Sequence, residues 1–133
     1  MTEQTYQDGK LIISILKEKG TVKQIIIQVL FKKKQIRLLN LYVELTSEDK
    51  SKINVDLKPL LPEEKDAGIQ NKEGEFVADI SYPALKEFLV SLEFPFESMR
   101  FVAESSEGRK YKSHQLAISE RWGLLKMDSG NYN

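Results

Sequence analysis

Three dense aliphatic runs lie between Lys10 and Leu45, and they restrict what the chain can become more than any other feature. Lys10–Glu18 packs three isoleucines and two leucines into nine residues, and β-branching favours a pleated backbone, so a strand is expected there. A helix is the competing reading, with Leu11, Ile12, Ile15 and Leu16 on one face and Gly20 as its C-terminal cap. The strand is preferred because Lys19-Gly20 makes a short hairpin connection into the second run, Val22–Phe31. Lys32-Lys33-Lys34 then suits an exposed turn into a third strand, Ile36–Leu45, and the three strands are expected to form a meander.

Successive side chains of a strand alternate between faces. Leu11, Ile13 and Ile15 therefore oppose Ile12, Ser14 and Leu16, and Ile25, Ile27, Val29 and Phe31 oppose Ile26, Gln28 and Leu30. In the third run Leu39, Leu41, Val43 and Leu45 oppose Ile36, Leu38, Asn40 and Tyr42. Each strand thus has one wholly apolar face and one apolar face interrupted near its centre by Ser14, Gln28 or Asn40. An antiparallel sheet with one wet side alternates apolar with charged residues, and these do not, so both faces need cover.

Beyond Thr46–Ser51, Ile53, Val55 and Leu57 alternate with Asn54 and Asp56 as a fourth strand that Pro59 ends. Residues 59–74 are rich in Pro, Glu, Lys, Asp, Gly and Asn and read as a mobile surface loop. Glu75–Ser81 is expected as a fifth strand. Ser81, Tyr82 and Pro83 open a helix over about 82–92, along which Leu85, Phe88, Leu89 and Leu92 recur at helical spacing. Phe94-Pro95-Phe96 stops it. Ser98–Glu104 is a sixth strand, Ser105–Gly108 a turn, and Lys110–Ser119 a seventh strand, with a short helix over His114–Leu125 as the alternative. The termini, 1–9 and 127–133, are polar.

This order predicts an α+β fold: an antiparallel, β-rich sheet closed as a sandwich or barrel, with one helix between strands. A mainly β sandwich is the nearest alternative. At 133 residues the chain has the length of one domain, 1–133, able to hide roughly two thirds of its unfolded surface without staples. No residue is cysteine, which removes disulfides, thiolate metal sites and a cysteine nucleophile. That absence, with an N-terminus lacking the apolar run of a secretory signal, gives a cytoplasmic expectation. No apolar run is long enough to span a bilayer.

The residues offer little to catalysis. His114 is the single histidine, and its neighbour Ser113 would point to the opposite face of a strand, so the two do not form a nucleophile and base. Glu63, Glu64 and Asp66 lack the spacing of a calcium loop, and no glycine belongs to a phosphate-cradling loop. Trp122 reads as a buried anchor for the last segment. The expectation is a protein that is not an enzyme, with no cofactor and no metal, and no family resemblance is carried by these residues.

The functional reading that remains is an interaction protein that self-associates or docks a protein partner through the mixed face around Ile12, Ser14, Ile26, Gln28, Leu38, Asn40 and Tyr42. The alternative is nucleic-acid binding by two basic clusters, Lys32, Lys33, Lys34 and Arg37, and Arg109, Lys110 and Lys112, with Tyr42 and Tyr111 available for stacking. Against it stands the even balance of 20 basic and 20 acidic residues. A carrier of a small apolar ligand within a barrel is a second alternative.

Overall fold

The computed structural model describes residues 2–61, 74–119 and 124–127. Among these residues ten strands and one α-helix follow in the order β1 (Thr2–Tyr6), β2 (Gly9–Glu18), β3 (Thr21–Phe31), β4 (Leu38–Ser47), β5 (Lys52–Asp56), β6 (Glu75–Ser81), α1 (Tyr82–Val90), β7 (Phe96–Ser105), β8 (Lys110–Lys112), β9 (Leu116–Ser119) and β10 (Leu124–Met127). The fold is α+β, with two antiparallel sheets and one helix. The first sheet has the order β1-β2-β3-β6; the second has the order β10-β9-β7-β4-β5, with β8 also paired to β7.

The hairpin joining β2 and β3 forms where the sequence places it. Glu18 pairs with Thr21, and both intervening residues are left-handed, Lys19 at φ 53° and Gly20 at φ 80°. That is the backbone of the tight turn whose twist matches the flanking strands. Helix α1 opens on Ser81, whose hydroxyl accepts from the Ala84 N–H at 3.4 Å, with Pro83 in the first turn. It ends at Val90, earlier than the spacing of Leu92 suggests, and Glu93 turns left-handed at φ 56°. Tyr82, Leu85 and Leu89 are the residues it buries, and all three join the core shared by the two sheets.

The meander is not formed. β3 is flanked by β2 and β6, so β4 has no place beside it, and the chain crosses at Lys32–Arg37 into the second sheet. Ile36, nearly fully buried, anchors the crossover in the core. This arrangement meets the demand for cover in a different way: Leu11, Ile13, Ile25, Ile27 and Val29 of one sheet share a core with Leu41, Val43, Leu45, Met99 and Phe101 of the other.

Two irregularities re-aim side chains. Leu38 pairs with Ser105 and Asn40 with Glu104, leaving Leu39 as the extra residue of a bulge. Leu38 is therefore buried, at 3% exposure, and Leu39 is 52% exposed, the reverse of simple alternation. The expected seventh strand is likewise two strands on one flank of β7. Lys112 pairs with Val102 and Leu116 with Met99, a one-residue slip across residues 113–115. Ser113 bridges the break, its hydroxyl accepting from the Phe101 N–H at 2.9 Å while its own N–H donates to the Phe101 carbonyl at 2.9 Å. The helix alternative over His114–Leu125 gives way to strand β9 at its start and β10 at its end.

The polar N-terminus is also structured: β1 pairs along β2 from Thr2 opposite Ile13 to Tyr6 opposite Gly9. Its alternation of exposed Glu3 and Thr5 with half-buried Gln4 and Tyr6 is that of an edge strand, which explains its polarity. Most of the expected loop at 59–74 lies outside the described residues, which show one 3-10 turn at Lys58–Leu60. Glu63, Glu64, Asp66, Trp122 and the tail from 128 also lie outside them.

Candidate interaction surface

Register fixes the outer face of the first sheet row by row. Leu30 sits between Lys10 and Glu75, Gln28 between Ile12 and Val77, Ile26 between Ser14 and Asp79, and Gln24 between Leu16 and Ser81. Over the first three of these rows the result is a chequerboard in which apolar and polar residues alternate both along and across the strands. Ile12, Ser14, Ile26, Gln28 and Leu30 are half-buried, whereas Leu16 and Val77 are exposed, at 41% and 44%. The buried residues of α1 belong to the inner core, so the helix leaves this face to solvent.

The amides on this face already have partners. Gln28 Nε2 donates to Glu75 Oε2 at 2.6 Å and Gln24 Nε2 to Asp79 Oδ2 at 3.3 Å; at the β1 edge Lys10 Nζ meets Glu3 Oε2 at 3.5 Å. Polar cross-strand pairs therefore hold the frame, and the apolar squares between them stay open.

Of the seven residues that sequence spacing groups into one mixed face, the structure brings four together: Ile12, Ser14, Ile26 and Gln28. Asn40 and Tyr42 lie on the outer face of the second sheet, and Leu38 is buried in the core. They part because β4 leaves the first sheet. Val77 is the member sequence reasoning missed; its place beside Gln28 depends on a pairing of β6 with β3 that no local pattern encodes.

The outer face of the second sheet differs in kind. Arg100 Nε donates to Glu44 Oε1 at 2.9 Å, Lys52 Nζ lies 4.0 Å from the same oxygen, and Asn40 Nδ2 donates to Glu104 Oε1 at 3.0 Å. An open cleft of about 360 Å³ on this side is lined by Asn40, Leu41, Tyr42, Asn54, Asp56, Glu104 and Lys110. Its lining is mostly polar, unlike the apolar interior that a hydrophobic ligand requires.

A latch ties the two sheets together at the end away from α1. Tyr111, fully buried, stacks on Tyr6 with ring centroids 4.8 Å apart and donates to Asp8 Oδ1 at 2.8 Å; Arg109 Nε reaches the same oxygen at 2.9 Å. Burial, reinforced by the bond to Asp8, pushes the Tyr111 phenol above its ordinary range. Tyr6 Oη donates to the Lys112 carbonyl at 3.1 Å and accepts from the Lys112 N–H at 2.8 Å. Gly9 permits the close approach, since a Cβ there would stand 2.5 Å from the Leu30 carbonyl oxygen and 3.0 Å from Tyr111 Oη. Tyr111 is thus committed to the core and is not presented for stacking.

His114 is exposed, and its Nε2 pairs with Gln4 Nε2 at 2.7 Å. The Ser113 hydroxyl is occupied by the β7 backbone and by the His114 carbonyl, to which it donates at 2.9 Å. Among the described residues no group of three or more His, Asp or Glu side chains is placed to hold a metal ion, and no helix is long and apolar enough to cross a membrane. No family model, curated protein or solved structure matches the chain.

Proposed function

We propose that this chain is a non-enzymatic interaction protein that uses the outer face of its first sheet to bind another protein chain, a second copy included. The reading is carried by the chequerboard, above all by Val77 and Leu16 standing exposed beside half-buried Ile12, Ile26 and Leu30 on a face left open by the helix. Its mixed polarity fits a reversible complex, because interfaces between separately stable proteins are about as apolar as the rest of the surface, while obligate ones resemble a bisected core.

Sedimentation at several concentrations tests self-association, with Val77→Lys and Leu16→Lys as the variants. The expected result is a concentration-dependent dimer that both substitutions weaken while leaving the unfolding midpoint unchanged. A chain that stays monomeric removes the self-association version. Docking to a different protein then requires a partner whose binding is lost on Val77→Lys, and a partner indifferent to that change defeats the proposal.

A further inference from the structure

Three turns converge at the latch end of the sandwich. The Lys32 N–H donates to the Asp8 carbonyl at 3.0 Å, joining the β3–β4 crossover to the β1–β2 turn. Arg37 and Ser106 exchange two bonds, the Arg37 N–H to Ser106 Oγ at 3.1 Å and the Ser106 N–H to the Arg37 carbonyl at 2.7 Å. The two basic clusters, far apart in sequence, are thereby fixed side by side. Lys32, Lys33, Lys34, Arg37, Arg109 and Lys110 are all exposed there. Among the described residues Arg109 alone of these six has an ion pair, with Asp8.

Carboxylates lie at this end too, Asp8 paired with Arg109, Glu75 and Glu104 bonded to Gln28 and Asn40, and Glu107 exposed in the same turn as Arg109, but the six cations outnumber these four. A strand of ten residues such as β2 spans about 33 Å, and charges in physiological salt are screened within about 8 Å. Carboxylates at the helix end are therefore invisible to a ligand at the latch end.

The chemistry of the turns narrows the ligand. Lys32–Gln35, Arg37 and Ser106–Lys110 contain no apolar side chain, and Ile36 between them is turned into the core, so the tips have nothing to insert into a lipid layer. Leu39, exposed at the bulge that opens β4, is a single exception just behind them in sequence. Of the two tyrosines available for stacking, Tyr111 is fully buried and Tyr42 is half-buried in the cleft on the outer face of the second sheet, so among the described residues no exposed ring stands on these turns. We infer that this end of the sandwich binds the phosphate backbone of nucleic acid without reading its sequence, and binds duplex more tightly than single strand because the duplex carries the denser charge.

Fluorescence anisotropy of a labelled duplex of about 20 base pairs and of the matching single strand, over about 20 to 200 mM salt, tests this. The whole chain is compared with Lys32→Gln/Lys33→Gln/Lys34→Gln, with Lys110→Gln alone, and with Lys23→Gln on the remote side of the first sheet. The duplex should bind with a log–log salt slope that the triple substitution flattens by about 2 to 3 and Lys110→Gln by about 1, at roughly 0.9 for each phosphate no longer neutralised. Lys23→Gln should change nothing. Thermal melts of each variant confirm the fold, and the single substitution keeps the test decisive if the triple one does not fold. No binding at the lowest salt, a slope unmoved by Lys110→Gln, a preference for single strand, or binding to phosphatidylserine vesicles in place of the duplex would each overturn the inference.

Discussion

Val77 and Val102 occupy equivalent places, each on the outward side of a strand, and their fates are opposite: Val77 is 44% exposed and Val102 is fully buried. Val102 stands in register between Tyr42 and Lys112, with Arg100 and Glu104 two residues away along β7 on the same side. Long side chains pinned by pairs such as Arg100–Glu44 and Asn40–Glu104 surround it. Such stems shield apolar surface while their heads stay wet. Around Val77 the cross-strand neighbours on the outer face are Gln28 and Ile12, with Glu75 and Asp79 bonded sideways to the glutamines. Two sheets of one sandwich therefore finish their outer sides differently: the second closes its own with a polar mesh, and the first leaves apolar squares within reach of another molecule.

The contrast breaks most visibly under a charge. Val102→Asp should cost on the order of 3 to 5 kcal/mol, because it places an unpaired carboxylate where water does not reach. Val77→Asp should stay within about 0.5 kcal/mol of the parent. Urea midpoints of the two variants decide the matter, and equal losses would erase the distinction between the faces. Gly9→Ala probes whether both sheets depend on the latch. The added methyl meets the Leu30 backbone and the Tyr111 hydroxyl, and a loss of about 1 to 3 kcal/mol is expected. Amide exchange should then quicken in β2 and β8 together.

A smaller effect sharpens the description of the second face. Glu44→Gln removes the charge shared by Arg100 and Lys52 and should cost about 1 kcal/mol, less at high salt. A salt-independent loss would mean that packing, not the ion pairs, maintains the mesh. The smallest effect belongs to the turn joining β4 and β5. There the Ser47 hydroxyl, with added hydrogen bonds from Ser51, lowers the Asp49 carboxyl to about 2 from its ordinary 3.8. Because the folded value lies below the unfolded one, the stabilisation is present above about pH 4 and disappears as pH falls through about 2. Melting temperatures of the parent and Asp49→Asn should differ at neutral pH and converge in acid.

Much of the local structure is legible in the residues. The isoleucine-rich runs become β2 and β3, Lys19-Gly20 becomes their turn, Glu75–Ser81 is a strand to the residue, and Ser81 with Pro83 starts the helix. Each signal sits within a few positions of the structure it specifies. β1 escapes notice because an edge strand needs no apolar alternation. The inversion of Leu38 and Leu39 escapes because one extra residue in a bulge puts Leu38 out of phase with Leu41, Val43 and Leu45, which keep the expected face. Four of the seven residues of the expected docking face stay together because β2 and β3 are joined by a hairpin. The other three separate because the place beside β3 is taken by β6 and β4 pairs instead with β7, both far along the chain.

By itself, then, the sequence determined where the helix begins, which side of β2 and β3 is wholly apolar and turns inward, and most of the strands (β1 and the break between β8 and β9 excepted), since these follow from alternation and turn chemistry among near neighbours. Tertiary structure alone decided what covers each sheet, which strands share one, and that Lys32–Arg37 and Arg109–Lys110 meet at one end. The physical reason is that alternation is written among near neighbours, whereas the element that covers a face or flanks a strand can lie far along the chain. That choice is made by burial summed over the whole chain.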